Sequence, residues 1–345
     1  MVSFWKEAWF YSFELFKFMT LFYTVWGPGF FVAAILALQY RRSTWERLSS
    51  IPPIPTLGLW RAVQAGIVGS VDRAKSREAA WELLTSGRSI ATAFAYLIAS
   101  RNLTIHFLAI FALSLGAEFA VGHALGALVM IGVVIFGLTW LQPKPVNALA
   151  RGPLQSTQFS IGLAIFPSWR VILLSPKGWW AMIGFIGQEM RGFAPTLAAG
   201  IGLGGIIFAA GLQPWWMSFA EILGSETTAS DLINALVGPA LSMTMFLSPV
   251  GNLPVIHALF KTDGLSYPGI ISFCLASAIH PKDLLIYVRT FGRRQGLNLV
   301  GLLYGAAVLG GLGSTWIYGL FGFRPHLPPL ELMHRLFSAL GSMIR

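Results

Sequence analysis

Long apolar runs separated by short polar clusters set the rhythm of this chain. Phe18 to Leu38, Leu103 to Leu115, Val121 to Leu141, Phe193 to Leu212 and Leu297 to Phe321 are all predominantly apolar. Several approach the roughly 20 residues that a helix needs to cross a bilayer. The runs are continuous, unlike the alternating segments of a membrane β-barrel. The pattern predicts an all-α, polytopic transmembrane protein with about eight hydrophobic segments. Two segments, Ser89 to Ser100 and Tyr267 to Ile279, are too short to span and are expected as broken or re-entrant helices. Residues 1–16 read as an amphipathic entry helix, and Gly27-Pro28-Gly29 predicts a kink in the first span. Leu59 to Gly87 is helix-forming, but Asp72, Arg73, Lys75, Arg77 and Glu78 place it at the surface or interface. The junction GAEFA puts Glu118 and His123 in a loop between helices, and His106 at the interface. The resulting division is 1–141 (entry helix and first half), 142–192 (linker with interfacial helices), 193–321 (second half) and 322–345 (amphipathic C-terminal tail).

One stretch departs from the rhythm. Phe246 to Arg294 is apolar overall yet holds Pro249, Pro254, Pro268 and Pro281, two histidines and a Lys282-Asp283 pair. Each proline removes a backbone donor. In lipid, backbone groups freed in this way must be satisfied by protein or by a water-lined cavity. Short segments interrupted by Gly or Pro are the best sequence pointer to a transport site. The candidate substrate-binding residues are therefore Ser248, Asn252, His257, Ser277 and His280, joined by Ser100 and Asn102 at the end of the first short segment. Each admits a plainer reading. A histidine sits at the headgroup level or bonds a carbonyl, Asn252 caps its own broken helix, and a serine bonds its own i−4 carbonyl. Arg101 attracts an anion or anchors a helix end, and Lys282 with Asp283 forms a local ion pair.

Composition narrows the class. The chain of 345 residues is 55% hydrophobic and 11% charged, against about 25% charged in soluble domains. Its net charge of +10 falls in short loops beside apolar spans, as the positive-inside bias requires. No basic run interleaved with aromatics suggests nucleic acid. Cys274 is the single cysteine, so an internal disulfide and a multi-cysteine metal site are excluded. No phosphate-binding loop or HExxH motif is present. The glycines of Ile201 to Phe208 (IGLGGIIF) suit helix packing, because no strand precedes them. Neither cofactor nor metal is expected, and no enzyme constellation assembles.

Two segments overlay with one offset. Gly87 and Gly264, Ala99 and Ala276, and Ser100 and Ser277 are each 177 positions apart. Repeated halves with short interrupted segments at corresponding positions are common in transporters. Pro254, Gly264, Ala276 and Ser277 resemble the permease family that includes trivalent organoarsenical efflux proteins (ArsP/YraQ type). That family's motif, similar to C-S-C-G-x-x-P-L followed by a glycine and a short helix ending A-S-P, occurs twice. Here Gly251 and Pro254 match, with Gly264 and Gly87 as further structural positions of the motif. Ser248 and Val250 stand where the cysteines would be, and Ala278 and Arg101 stand where the prolines would be. The segment VDRAKSRE occupies the first cysteine motif. Thiolates are the soft ligands that suit arsenic, so arsenical transport by cysteine exchange is not implied.

The resemblance implies a multi-pass permease of a prokaryotic plasma (inner) membrane, moving a small solute by alternating access of two repeated halves. The alternative is a permease-derived, non-transporting subunit or scaffold of a larger membrane complex. The expected partners are the lipid bilayer, a small-molecule solute, and either further copies of the chain or other membrane subunits.

Overall fold

The computed structural model describes residues 2–50, 55–70, 73–141, 166–223 and 228–323. The expected tail beyond residue 323 and the linker region 142–165 lie outside the described residues. The described chain is helical throughout: α1 (Val2–Ser50), α2 (Pro55–Ile67), α3 (Arg73–Thr85), α4 (Ile90–Asn102), α5 (Ile105–Leu115), α6 (Ala117–Leu141), α7 (Trp169–Leu174), α8 (Pro176–Gly211), α9 (Pro214–Leu223), α10 (Thr228–Met245), α11 (Asn252–Lys261), α12 (Tyr267–Leu275) with a 3-10 turn (Ala276–Ile279), α13 (Pro281–Phe291) and α14 (Arg293–Leu320). Among the described residues, four stretches are long and apolar enough to cross a membrane: Ile90–Leu115, Ala117–Leu141, Pro176–Gly211 and Arg293–Leu320. The protein is a polytopic helical membrane protein.

The two short helices lie at the centre. Every residue of α4 from Thr92 to Asn102 is buried, and so is every residue of α12. A helix that is apolar around its whole circumference must be covered on all sides. Local chemistry fixes where each begins. The Ser89 side chain accepts the Thr92 N–H at the start of α4, and Pro268 sits in the first turn of α12, where a missing N–H costs nothing.

The offset of 177 now extends from three residues to the order of elements. Shifting α4 (90–102) by 177 gives 267–279, the span of α12 plus its 3-10 turn. Shifted α5 is 282–292, against α13 at 281–291. Shifted α6 is 294–318, inside α14 at 293–320. Shifted α3 is 250–262, around α11 at 252–261, and shifted α2 is 232–244, inside α10 at 228–245. By the same shift α1 corresponds to the region of α8.

The repeats run in opposite directions. The glycine positions of α6 meet α14 in reverse order: Gly122 lies against Tyr318, Gly126 against Gly310 and Gly137 against Leu302. Likewise α1 descends as α8 ascends. Tyr11 stacks on Phe208, Phe30 stacks on Phe193, and Arg41 approaches Glu189. Corresponding helices of two repeats cross antiparallel only when the axis relating them lies across the helices. This is the arrangement of inverted-topology repeats.

Several expectations require correction. Helix α1 continues through Gly27-Pro28-Gly29 as one element of 49 residues, so the proline does not end it. Helix α8 runs unbroken from Pro176 to Gly211. Glu118 and His123 both lie within α6, because the turn is made by Gly116 alone, at φ 106°. Leu59 to Gly87, expected at the surface or interface, turns a buried face inward: Ala62, Ala65, Ser76, Ala79 and Leu83 are buried, and α2 and α3 both pack on α4. His106 is buried within the protein.

Candidate functional site

The C-terminal ends of α4 and of the α12 segment meet. The Ser277 hydroxyl donates to Asn102 Oδ1 at 3.2 Å, and Asn102 Nδ2 donates to its own helix at Ile98 O. Beside them Arg101, with no exposed surface, donates through Nη1 to the Ser277 carbonyl at 2.9 Å and to Asp283 Oδ2 at 2.8 Å. Its Nε donates to Ser76 Oγ at 3.2 Å. The other Asp283 oxygen accepts from Arg77 at 3.3 Å. Of the sequence candidates, Asn102 and Ser277 are therefore in contact. Ser100, however, takes its plainer role, since its hydroxyl donates to Leu97 O. Asp283 pairs with arginines of the first repeat, while Lys282 is exposed beside it.

A second polar region lies at the start of α11. Thr196 Oγ1 donates to Phe193 O and lies in hydrogen-bond contact with Ser248 Oγ, so the serine proton points to Thr196. Ser248 Oγ in turn accepts the Gly251 N–H at 3.0 Å, and the Ser248 carbonyl accepts the Asn252 N–H. The backbone approaches α8 so closely that a Cβ on Gly200 would sit 1.9 Å from Gly251 O, and one on Gly204 would sit 2.8 Å from Pro254 O. This close approach accounts for Gly200 and Gly204 and for Gly251 of the motif, whose own Cβ would lie 2.6 Å from Thr196 O, whereas Gly205 packs on α1 at Ala8 O. Asn252 is 1% exposed, and neither atom of its side-chain amide has a hydrogen-bond partner among the described residues. A buried amide in this state can bind a ligand by donation and acceptance together.

The remaining candidates are placed separately. His257 lies between the rings of Phe18 and Phe208, with Nδ1 lacking a partner among the described residues. His280 caps α13, its Nδ1 accepting the Lys282 N–H, and meets Phe246 edge-on. The repeat glycines close α3 and α11, but not identically. Gly87 adopts φ +81°, whereas in the second copy Asp263, at φ 54°, makes the left-handed turn and Gly264 packs under Trp216.

A third centre was not anticipated. Glu189 on α8 is 2% exposed and accepts from Ser70 Oγ through both oxygens, at 2.9 and 3.0 Å. His106 Nε2, Arg41 Nη2 and Lys75 Nζ stand farther off, at 3.6, 3.7 and 3.9 Å. A glutamate within an apolar run is itself a signal, and it was available at GFIGQEM. Its four neighbours from other parts of the chain were not visible. The buried carboxylates of Glu189 and Asp283, both in the second repeat, meet Arg41, Lys75, Arg77 and Arg101 of the first.

A family model described as a predicted permease matches residues 12–313. A Mycobacterium tuberculosis protein bearing a permease name, Rv2963, is 27% identical over 254 residues, covering 70% of this chain and 61% of the relative. The chain therefore spans less than two thirds of that relative's length. No solved structure matches the chain.

Proposed function

From the premise that the chain belongs to the predicted-permease family, we propose that it moves a small solute across the membrane by alternating access of its two inverted repeats. The observation that carries this reading is the pair of buried half-helices, one from each repeat, ending against each other at Asn102 and Ser277. In transporters built from inverted repeats, substrate sites lie near the bilayer midplane at the repeat interface, on discontinuous helices. Asn252, with its unengaged amide, and the Ser248–Gly251 turn are the substrate contacts in this reading. His257 and His280 line the same broken stretch at its two ends. The cysteines of the resembling family are replaced by Ser248 and Val250, so the solute is held by hydrogen bonds rather than by thiolates. The second reading, a non-transporting membrane subunit, draws support from the buried ion pairs that tie the two repeats together.

Accessibility separates the two without knowledge of the solute. Cys274 is buried, so a C274S background carrying N252C presents one new thiol. Alternating access predicts that membrane-impermeant methanethiosulfonate reagents label N252C from either side of sealed vesicles, at different rates. Labelling from neither side, in protein that is folded and membrane-inserted, would favour the subunit.

A further inference from the structure

We propose that Arg101 occupies, with its own guanidinium, a hard-cation site formed where the two half-helices end. The surrounding donors are oxygens of three kinds: the Ser277 carbonyl, the Asp283 carboxylate and the Ser76 hydroxyl. The Asn102 amide oxygen adjoins them through its bond from Ser277. Carbonyl, carboxylate and hydroxyl oxygens are the donor set of hard cations, not of soft or transition metals. Helix C-termini carry the negative end of the peptide dipole, and half-helix C-terminal ends coordinate coupling cations in inverted-repeat transporters. Here that position is filled by a tethered charge.

Two features argue that Arg101 fills a site and does not merely anchor a helix end. First, it has no exposed surface, whereas a positive-inside anchor reaches the headgroups. Second, the repeat supplies it once: the position 177 residues on is Ala278, so a single guanidinium serves the meeting point of both copies. The Glu189 centre is different in kind. Its cationic neighbours stand at 3.6–3.9 Å, whereas Arg101 is in direct hydrogen-bond contact with each of its oxygens. The consequence for coupling, which rests on the permease reading, is that this protein needs no free alkali cation at this position.

Removing the guanidinium should return the site to solution cations. In R101A the Asp283 Oδ2 and Ser277 carbonyl lose their donor, while Arg77 stays on the other Asp283 oxygen. The test is the apparent Tm of the full-length protein in detergent, with sodium, potassium or lithium chloride against choline chloride at equal ionic strength. R101Q, which keeps an amide donor, is the second variant should R101A fail to fold. Expected are a wild type indifferent to the cation and a saturable rise in the variant, about 3 °C at ten times the dissociation constant, abolished by adding D283N. Indifference of both variants overturns the proposal, and so does a saturable sodium effect on the wild type. Neither result bears on N252C labelling, so the permease reading stands or falls separately.

Discussion

Asp283 to Asn is the perturbation whose energetic effect the structure specifies most closely. Asp283 and Arg101 are 2% and 0% exposed and 2.8 Å apart. Removing one partner of a buried pair leaves a desolvated charge and costs about 3–5 kcal/mol. The two single variants should differ. In D283N, Arg101 keeps Ser277 O and Ser76 but loses the carboxylate, with no route to water, so about 4 kcal/mol is expected. In R101M, Asp283 keeps Arg77, whose side chain is 31% exposed, so about 3 kcal/mol is expected. Independent effects would sum to about 7 kcal/mol. The double variant leaves no fully buried uncompensated charge, since Arg77 is 31% exposed, and should cost about 4 kcal/mol, a coupling of about 3 kcal/mol. Denaturant titration in mixed micelles, followed by the fluorescence of the 13 tryptophans, measures all three. Additive losses, or single losses below about 1 kcal/mol as for an exposed pair, would refute the desolvated geometry.

Three further outcomes can be read by the same titration. At the α6–α14 crossing, a Cβ on Gly310 would lie 2.7 Å from Gly126 O, so G310A should destabilise by about 1–3 kcal/mol. G301A on the same helix, where no atom lies within 4 Å, should be neutral or stabilising by about 0.5–1 kcal/mol; equal effects would contradict the crossing. E189Q should cost about 1–2 kcal/mol, less than D283N, because Arg41 and Lys75 are 14% and 29% exposed and can be rehydrated; a larger loss than D283N would reverse the ranking of the two centres. His123 lies 5.4 and 5.0 Å from the Phe107 and Phe111 ring centres, with neither nitrogen partnered among the described residues. H123L should therefore raise stability by about 1 kcal/mol, and a loss of that size would show that the ring nitrogens are engaged.

What the sequence revealed and what it hid have one physical cause. Apolar length is a local property, so α6, α8 and α14 were visible in the run of residues. The two short helices were equally visible, because a segment too short to span but apolar on every side has few places to lie except within the protein. The offset of 177 needed only three small residues to be noticed, since small residues mark where backbones meet. Charge is another matter. Asp72, Arg73, Lys75, Arg77 and Glu78 made the α3 region look like a surface helix because hydropathy adds a penalty for each charge without knowing its partner. The partners are remote: Arg77 meets Asp283 across 206 positions, and Arg101 meets it across 182. No window on the sequence joins residues so far apart. The repeat, however, could have narrowed the search. Arg101 replaces the proline that should follow Ala-Ser, and nothing basic stands at Ala278. Both copies lose that proline but only one puts a charge in its place, and a charge set where both copies meet points to a group with a role at the shared axis. In a duplicated membrane protein, the asymmetry between copies at a symmetric position therefore carries information that neither copy holds alone. Here it leads to Arg101, a guanidinium with no exposed surface.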